Sequence, residues 1–388
     1  MSADGPAAGV ALGDPVPWFS AATVTGGRID LHVDAGRWVV LAFLGSLAAA
    51  RAAHELAELL QESALFDERR LVVYGVVTEP PREADAAMLA SITGPALAFL
   101  ADYDGAISRR YGAADGGRTV VLDAMLRAVA NIGWEDPGGH SQMLRGLLRS
   151  LPDIDDSAGV PLTAPALIVP RIFDFPLCDY LVALHQRMGG SDSGFLLDRD
   201  GATATVIDHR LKRRQDLVID DLELREIMRD RIVRRLLPAV ERFFQFRATR
   251  MDRYMVSCYD SAVGGHFFRH RDDVNAGAEH RRFAVSINLN HDYDGGALIF
   301  PEFGRRSYRA PSGGAIVFSC GALHEVTPMV RGRRYVFVPF LYGEEDAARR
   351  HANNARLAAG EGRYTGERDR LFPAAAAAAL PHLSRCPI

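Results

Sequence analysis

Between residues 253 and 342 the chain breaks into five short runs rich in Val, Ile, Phe and Tyr. They are RYMVSCY (Arg253 to Tyr259), FAVSINLN (Phe283 to Asn290), ALIF (Ala297 to Phe300), GAIVFS (Gly314 to Ser319) and YVFVPFLY (Tyr335 to Tyr342). Turn-forming clusters separate them at Ser261 to Gly265, Asn290 to Gly296, Pro311 to Gly314 and Val330 to Arg333. This is the spacing of an antiparallel sandwich or barrel.

Set into that frame are His270 and Asp272, expected just past one strand, and His324, expected just past another. A histidine and a carboxylate two positions apart on an extended segment point to the same side. A second histidine about fifty residues later can return on a neighbouring strand and complete a 2-His-1-carboxylate face. Such a triad leaves adjacent coordination positions open, which suits non-haem Fe(II) binding a chelating co-substrate and oxygen together. Arg334 follows His324 by ten residues, at the start of an apolar strand. A lone guanidinium inside an apolar barrel needs an anionic partner, and a dicarboxylate would satisfy it in bidentate fashion. Tyr259 could add a hydroxyl donor to the same carboxylate.

The stretch from about Arg253 to Glu344 resembles the double-stranded β-helix of Fe(II)/2-oxoglutarate dioxygenases, in particular the prolyl 4-hydroxylase-like branch. The resemblance rests on CYDSAVGGHFFRHRDD, FAVSINLNHDYDGGALIFPE and PSGGAIVFSCGALHEVTPMVRGRRYVFVPFLY, which follow the family's order of strands and motifs. It implies His270, Asp272 and His324 as iron ligands, Arg334 as partner of the distal carboxylate of 2-oxoglutarate, and Tyr259 as a supporting donor. Arg333 is the alternative anchor, since some relatives space the arginine one residue closer. Asn288 occupies the place where certain relatives have an aromatic in contact with 2-oxoglutarate, so it is a candidate co-substrate or substrate contact. The implied cofactor is Fe(II), the co-substrates 2-oxoglutarate and O2, and ascorbate is admitted. The implied reaction hydroxylates an unactivated C–H bond, in a prolyl or other amino-acid side chain, with release of succinate and CO2. A small natural-product substrate and a non-catalytic sensor or scaffold are the alternatives.

Other residues near this region receive plainer expectations. His266, His280 and His291 read as solvated loop histidines, with His266 able to line a substrate entrance, and Glu325 should point away from the metal. Lys212, the chain's only lysine, lies far upstream of the motif, so relatives that hold 2-oxoglutarate with lysine are set aside as guides. Lys212 to Arg214 reads as a short basic patch followed by an acid.

Residues from about Gly13 to Leu151 have a different character. Apolar strands such as WVVLAFL (Trp38 to Leu44) and LVVYGVV (Leu71 to Val77) alternate with an Ala-rich helix from about Leu47 to Glu62, the alternation of an α/β layer fold. The opening GDPVPWFSAATVTGGRIDLHVDAGRWVVLAFLGS resembles peroxiredoxins and other thioredoxin-like proteins, as does RRYG at Arg109 to Gly112. In a peroxiredoxin the segment after WVVLAFL carries the reactive cysteine near a helix start, where its thiolate is stabilised. Here the segment is SLAAARAAHEL, the aligned position falls near Ala52, and no cysteine precedes Cys178. The expectation is a redox-inactive domain serving dimerisation, docking or shielding.

The fold class expected is therefore α/β plus β: a thioredoxin-like α/β domain, then a double-stranded β-helix (jelly-roll) with flanking helices. The expected boundaries are 1–151, a linker at 152–166 (from PDIDDSAGVPLTAP), an oxygenase domain at 167–345 and a helical or partly disordered tail at 346–388. Helical periodicity is strongest from Asp221 to Phe246, where Leu222, Leu224, Ile227, Met228, Ile232, Leu236, Val240 and Phe244 recur. A net charge of -4 gives no electrostatic reason to expect nucleic acid or an anionic membrane. No apolar run approaches the roughly 20 residues of a span. Cys178, Cys258, Cys320 and Cys386 lack metal-binding or secretory spacing and read as buried free thiols in a cytoplasmic protein. Beyond 2-oxoglutarate and O2, the partner expected is an unidentified peptide or small-molecule substrate, with a homodimer through the redoxin-like domain admitted.

Overall fold

The computed structural model describes residues 9–114, 117–134, 137–199, 202–357, 364, 366 and 369–372. The chain divides into two compact units, Met1–Ala164 with Phe300–Arg306, and Pro165–Ile299 with Ser307–Ile388.

In the first unit, the continuous apolar runs Trp38–Gly45 and Leu71–Val77 are buried along their whole length. Runs without polar alternation suit the middle of a parallel sheet covered on both faces. The two strands pair in parallel, Leu97–Ala101 adds a third parallel strand, and Arg118–Leu122 and Ala128–Gly133 continue the sheet antiparallel on the other side. With helices Ala50–Gln61, Glu83–Ile92 and Pro137–Ser150 this is the thioredoxin-like α/β architecture. Ala52 lies buried in the first turn of the Ala50–Gln61 helix, where the resembling proteins carry a reactive thiol. The polar centre of this unit is instead His140, whose Nδ1 lies 2.5 Å from Glu55 and whose Nε2 lies 3.0 Å from the Thr119 hydroxyl. Ile154, in the stretch expected to be a linker, is buried with the same core.

The second unit consists of antiparallel sheets. The minor sheet has the order Lys212–Arg213, His266–His270, His324–Val326, Leu298–Ile299, Ser307–Tyr308. The major sheet runs Arg250–Asp252, Phe340–Tyr342, Phe283–Asn288, Arg333–Phe337, Met255–Asp260, Gln215–Val218, Ser191–Asp192, and Ala315–Ser319 pairs with Phe283–Asn288 and with Leu167–Val169. Helices Phe175–Met188, Leu222–Arg235 and Leu237–Phe244 flank it. The Asp221 carboxylate caps the second of these by accepting from the Leu224 amide at 2.8 Å. Leu224, Met228 and Ile232 of this helix, continued by Leu236 at its end and Val240 in the next helix, form a buried stripe at intervals of four, whereas Leu222 and Ile227 of the periodic set face solvent.

Three expectations need correction here. His270 is the last residue of a strand and His324 the first of another, so both candidate ligands sit on the sheet and not beyond it. Lys212 belongs to a strand and is buried, because its pairing with Phe267 draws it under the minor sheet. His280 is buried as well, against Asp252 and the Tyr342 ring, in place of a solvated loop position. Within the expected tail, Glu344–Asn353 is helical, and Asp369 accepts a 2.6 Å hydrogen bond from Tyr342 while Leu371 joins the core. The alanine run at 374–379 and Cys386 lie outside the described residues. Cys178, Cys258 and Cys320 are buried and unpaired. Among the described residues, no helix is long and apolar enough to cross a membrane.

Candidate metal centre

The His266–His270 and His324–Val326 strands are neighbours, and their register places His270 directly opposite His324. Their ring centroids stand 4.2 Å apart. Past the first strand the chain turns inward, held by the Asp272 amide donating to the Cys320 carbonyl at 2.9 Å. One Asp272 oxygen is then 3.6 Å from His270 Nε2 and the other 3.4 Å from His324 Nε2. The three residues offer ligand atoms within 4.8 Å of one another.

The histidine tautomers follow from local geometry. His270 Nδ1 lies 2.8 Å from the Phe268 carbonyl, and His324 Nδ1 lies 3.0 Å from the Ala322 carbonyl. A carbonyl only accepts, so each Nδ1 carries the proton and each Nε2 presents its lone pair toward Asp272. Charge states agree with this. Burial, and then the neighbouring His270, pushes His324 down to about 4, so it is neutral at physiological pH. Burial works to raise the Asp272 carboxyl, but His324 and His270 outweigh it and hold it below the usual carboxylate range. Two imidazole nitrogens and one carboxylate on one side of a cavity fit a divalent first-row metal with an open face.

The same cavity is lined from the major sheet by Tyr259, Ser286 and Arg334. Arg334 is 3% exposed; its Nε donates to Asn288 at 3.2 Å and its terminal nitrogen to the Ser286 hydroxyl at 2.8 Å. Both partners are neutral, so the guanidinium keeps an unmatched charge. Arg333, one residue earlier, alternates outward, where its side chain is 57% exposed and paired with Asp260. Gly332 makes the preceding turn at φ +75°, a conformation costly for other residues. Tyr259 opposes Arg334 in the adjacent strand and receives a long 3.4 Å hydrogen bond from Arg214. Asn288 also donates to the Ala310 carbonyl at 2.7 Å. With both ends of its amide engaged, it orients Arg334 from behind and is not among the residues bordering the cavity. His266 bonds the Gly264 and Arg210 carbonyls, and Glu325 approaches Arg269 outside the triad.

Three cations bordering the cavity escaped the sequence reading: Lys212, Arg214 and Arg253. Arg214 is bound to Asp216 at 2.7 Å. Arg253 alone carried a signal, its place at the head of the same apolar run that ends in Tyr259, whereas Lys212 and Arg214 stand far upstream in a short basic patch.

Residues 254–342 match the 2OG-Fe(II) oxygenase superfamily, and residues 12–129 match the AhpC/TSA family. A PKHD-type hydroxylase of Hyphomonas neptunium is 30% identical over 161 residues, covering 39% of this chain and 67% of that protein. A PKHD-type hydroxylase of Synechococcus sp. (strain JA-2-3B'a(2-13)) is 30% identical over 117 residues, covering 27% of this chain; the match spans about half of that relative's length, 51%. A solved Pseudomonas putida prolyl-4-hydroxylase aligns with 20% identity and a TM-score of 0.35, over 48% of this chain and 95% of its own.

Proposed function

Starting from the membership of this chain in the 2OG-Fe(II) oxygenase superfamily, we propose that it is an Fe(II)- and 2-oxoglutarate-dependent hydroxylase using His270, Asp272 and His324 as ligands and Arg334 as co-substrate anchor. The observation that carries this reading is the facing of three convergent ligand atoms, across one cavity, by a buried arginine that has no carboxylate partner among the described residues.

Bound Fe(II) supplies oxygen activation, with 2-oxoglutarate as the two-electron donor: 2-oxoglutarate, O2 and a C–H substrate become succinate, CO2 and the corresponding alcohol. The chain's own residues set the conditions. The two Nε2 atoms and the Asp272 carboxylate hold the metal on one side and leave its other positions to exchangeable ligands. Arg334 receives the distal carboxylate of 2-oxoglutarate in a charge-assisted pair. Ser286, with Asn288 behind it, keeps the guanidinium fork aimed at that carboxylate, and the Tyr259 hydroxyl donates alongside. Val285, Leu298, Phe318 and Val326 make the walls apolar, which excludes water and strengthens those electrostatic contacts. A prolyl or other amino-acid side chain is the substrate class we favour, supported by the naming of the relatives as PKHD-type hydroxylases.

Residues 12–129 match a thiol-peroxidase family, yet no cysteine occurs before Cys178, so peroxide reduction has no nucleophile there. We assign this unit an accessory role in dimerisation or docking. The buried, unpaired thiols support a cytoplasmic setting.

The test is succinate formation by purified protein with Fe(II), 2-oxoglutarate and O2, followed with and without candidate peptides. Succinate that requires all three components is expected. Protein that binds Fe(II) and 2-oxoglutarate but forms no succinate with any candidate would favour the scaffold alternative.

A further inference from the structure

The chain reaches the mouth of the cavity through a crossover between its sheets. Lys212 and Arg213 pair with Phe267 and His266 in the minor sheet, and three residues later Gln215 and Asp216 pair with Cys258 and Ser257 in the major sheet. This crossing carries the Lys212 side chain to the cavity wall, where it is 3% exposed. Its ammonium donates to the Gly194 carbonyl at 2.6 Å and lies 4.6 Å from the Phe267 ring centroid. Among the described residues no carboxylate lies within ion-pair distance of it.

Arg253 reaches the same wall from the other side. It joins the Arg250–Asp252 and Met255–Asp260 strands with a φ of +59°, the left-handed region that side chains other than glycine's rarely adopt. Of the four non-glycine residues with positive φ among the described residues, it is the one bordering the metal cavity, and strain of this kind gathers where position matters. Its guanidinium sits 5.2 Å from the Phe340 ring centroid and forms no ion pair or hydrogen bond among the described residues. It also borders a second, more polar cavity of about 270 Å³ lined by Asp252, His280, Arg281 and Arg350.

Charge balance gives these two cations a task. With the proposed function as premise, the Fe(II) dication, the Asp272 carboxylate, the dianion of 2-oxoglutarate and the Arg334 guanidinium together come to neutrality. Arg214 is already matched by Asp216. Lys212, buried, and Arg253, half-buried, are then surplus positive charge on a wall they share with Phe267 and Phe340, an arrangement that is costly until an anion arrives. Burial, and then Arg214, push Lys212 well below the ordinary lysine value, and burial, with Arg281 and Arg214, pushes Arg253 down to about 10. In both cases burial is the leading cause, and neighbouring guanidinium groups add to it against the opposing pull of Asp216.

We propose that the primary substrate carries an oxyanion, a carboxylate or phosphate, which Lys212 and Arg253 bind beside the metal while 2-oxoglutarate occupies Arg334. The substrate class is thereby narrowed from any amino-acid side chain to an anionic one, with the remainder of the molecule extending past Arg253 into the second cavity.

The test uses the full-length protein loaded with Mn(II), as a stand-in that does not turn over, and saturating 2-oxoglutarate. The probes are 13C-acetate and inorganic phosphate, read by their paramagnetic relaxation from Mn(II). In the wild type at least one probe should bind close enough to relax, and which one does so identifies the oxyanion. Lys212→Met and Arg253→Met, both of which keep side-chain volume, should each weaken that binding at least about tenfold. Their 2-oxoglutarate affinity should stay within about twofold, which also reports that the site is folded. Three results would overturn the proposal: no relaxation of either probe, relaxation unchanged in both variants, or loss of 2-oxoglutarate affinity in the variants, which would give these cations to the co-substrate. If wild-type protein forms no Mn(II)/2-oxoglutarate complex at all, the proposed function itself fails and this inference falls with it.

Discussion

Arg334 and Arg333 are adjacent guanidinium side chains and opposite in fate, so replacing each by methionine separates co-substrate anchoring from general charge. In the wild type, ligand that binds only the folded state at one hundred times its Kd adds about 2.7 kcal/mol of stability. Removing one partner of a buried, hydrogen-bonded charge pair costs roughly 2 to 5 kcal/mol of binding. Taking the low end, Arg334→Met raises the 2-oxoglutarate Kd about thirtyfold, and the stabilisation at the same concentration drops below about 1 kcal/mol. Arg334 is buried against the neutral Ser286 and Asn288, so without 2-oxoglutarate its loss also removes an unmatched buried charge, and the ligand-free variant should be no less stable than wild type by more than about 1 kcal/mol. Arg333 is more than half exposed and pairs with Asp260 at the surface, so Arg333→Met should keep the full ligand-induced gain. The assay is urea unfolding with Mn(II), with and without 2-oxoglutarate. Equal gains in the two variants, or loss of the gain in Arg333→Met alone, would refute the anchoring argument.

His270→Ala or Asp272→Ala removes one of three ligand side chains, and both bound metal, measured by equilibrium dialysis, and Fe(II)-dependent succinate formation should disappear; full activity in either variant would sink the site assignment. His324 titrates near 4 in the folded chain against 6.5 ordinarily, so between those pH values the unfolded chain takes up a proton that the folded one refuses. Metal-free stability should therefore fall as pH drops from 6.5 to 4, with His324 contributing about 3 kcal/mol of that loss. Urea unfolding with a chelator across this range should show a shallower slope in His324→Gln, and an identical slope would contradict the burial argument. Asp221→Ala removes the cap of the Leu222–Arg235 helix and should cost about 1 kcal/mol by the same measurement without changing 2-oxoglutarate affinity.

The grouping of His270, Asp272 and His324 was legible in the sequence because its information is local: Asp272 follows His270 by two positions and is swung inward by the turn that ends the strand, and the strand order brings His324 opposite His270. The preference for Arg334 over Arg333 accords with strand alternation, since Arg334 opposes Tyr259 and Arg333 opposes Asp260. Lys212 was illegible for the opposite reason. A two-residue strand has no periodicity to read, and its burial comes from Phe267, a partner distant in the chain. His280 was misread because its immediate neighbours are polar, while the groups that enclose it, Asp252 and Tyr342, come from two other strands. In the first unit the layered fold was plain from its apolar runs, but the buried His140–Glu55 pair joins two helices that nothing local connects.

Both ligand histidines are oriented by carbonyls two residues earlier in their own chain, Phe268 for His270 and Ala322 for His324. Those acceptors are main-chain atoms, present whatever side chain stands at either position. The donor strength of the imidazoles is thus insulated from drift in neighbouring residues: variants at 268 and 322 that preserve the backbone path leave the centre electronically unchanged. Under the proposed function, exchange of Lys212 or Arg253 on the cavity wall would alter substrate preference while the orientation of His270 and His324 stays with the main chain.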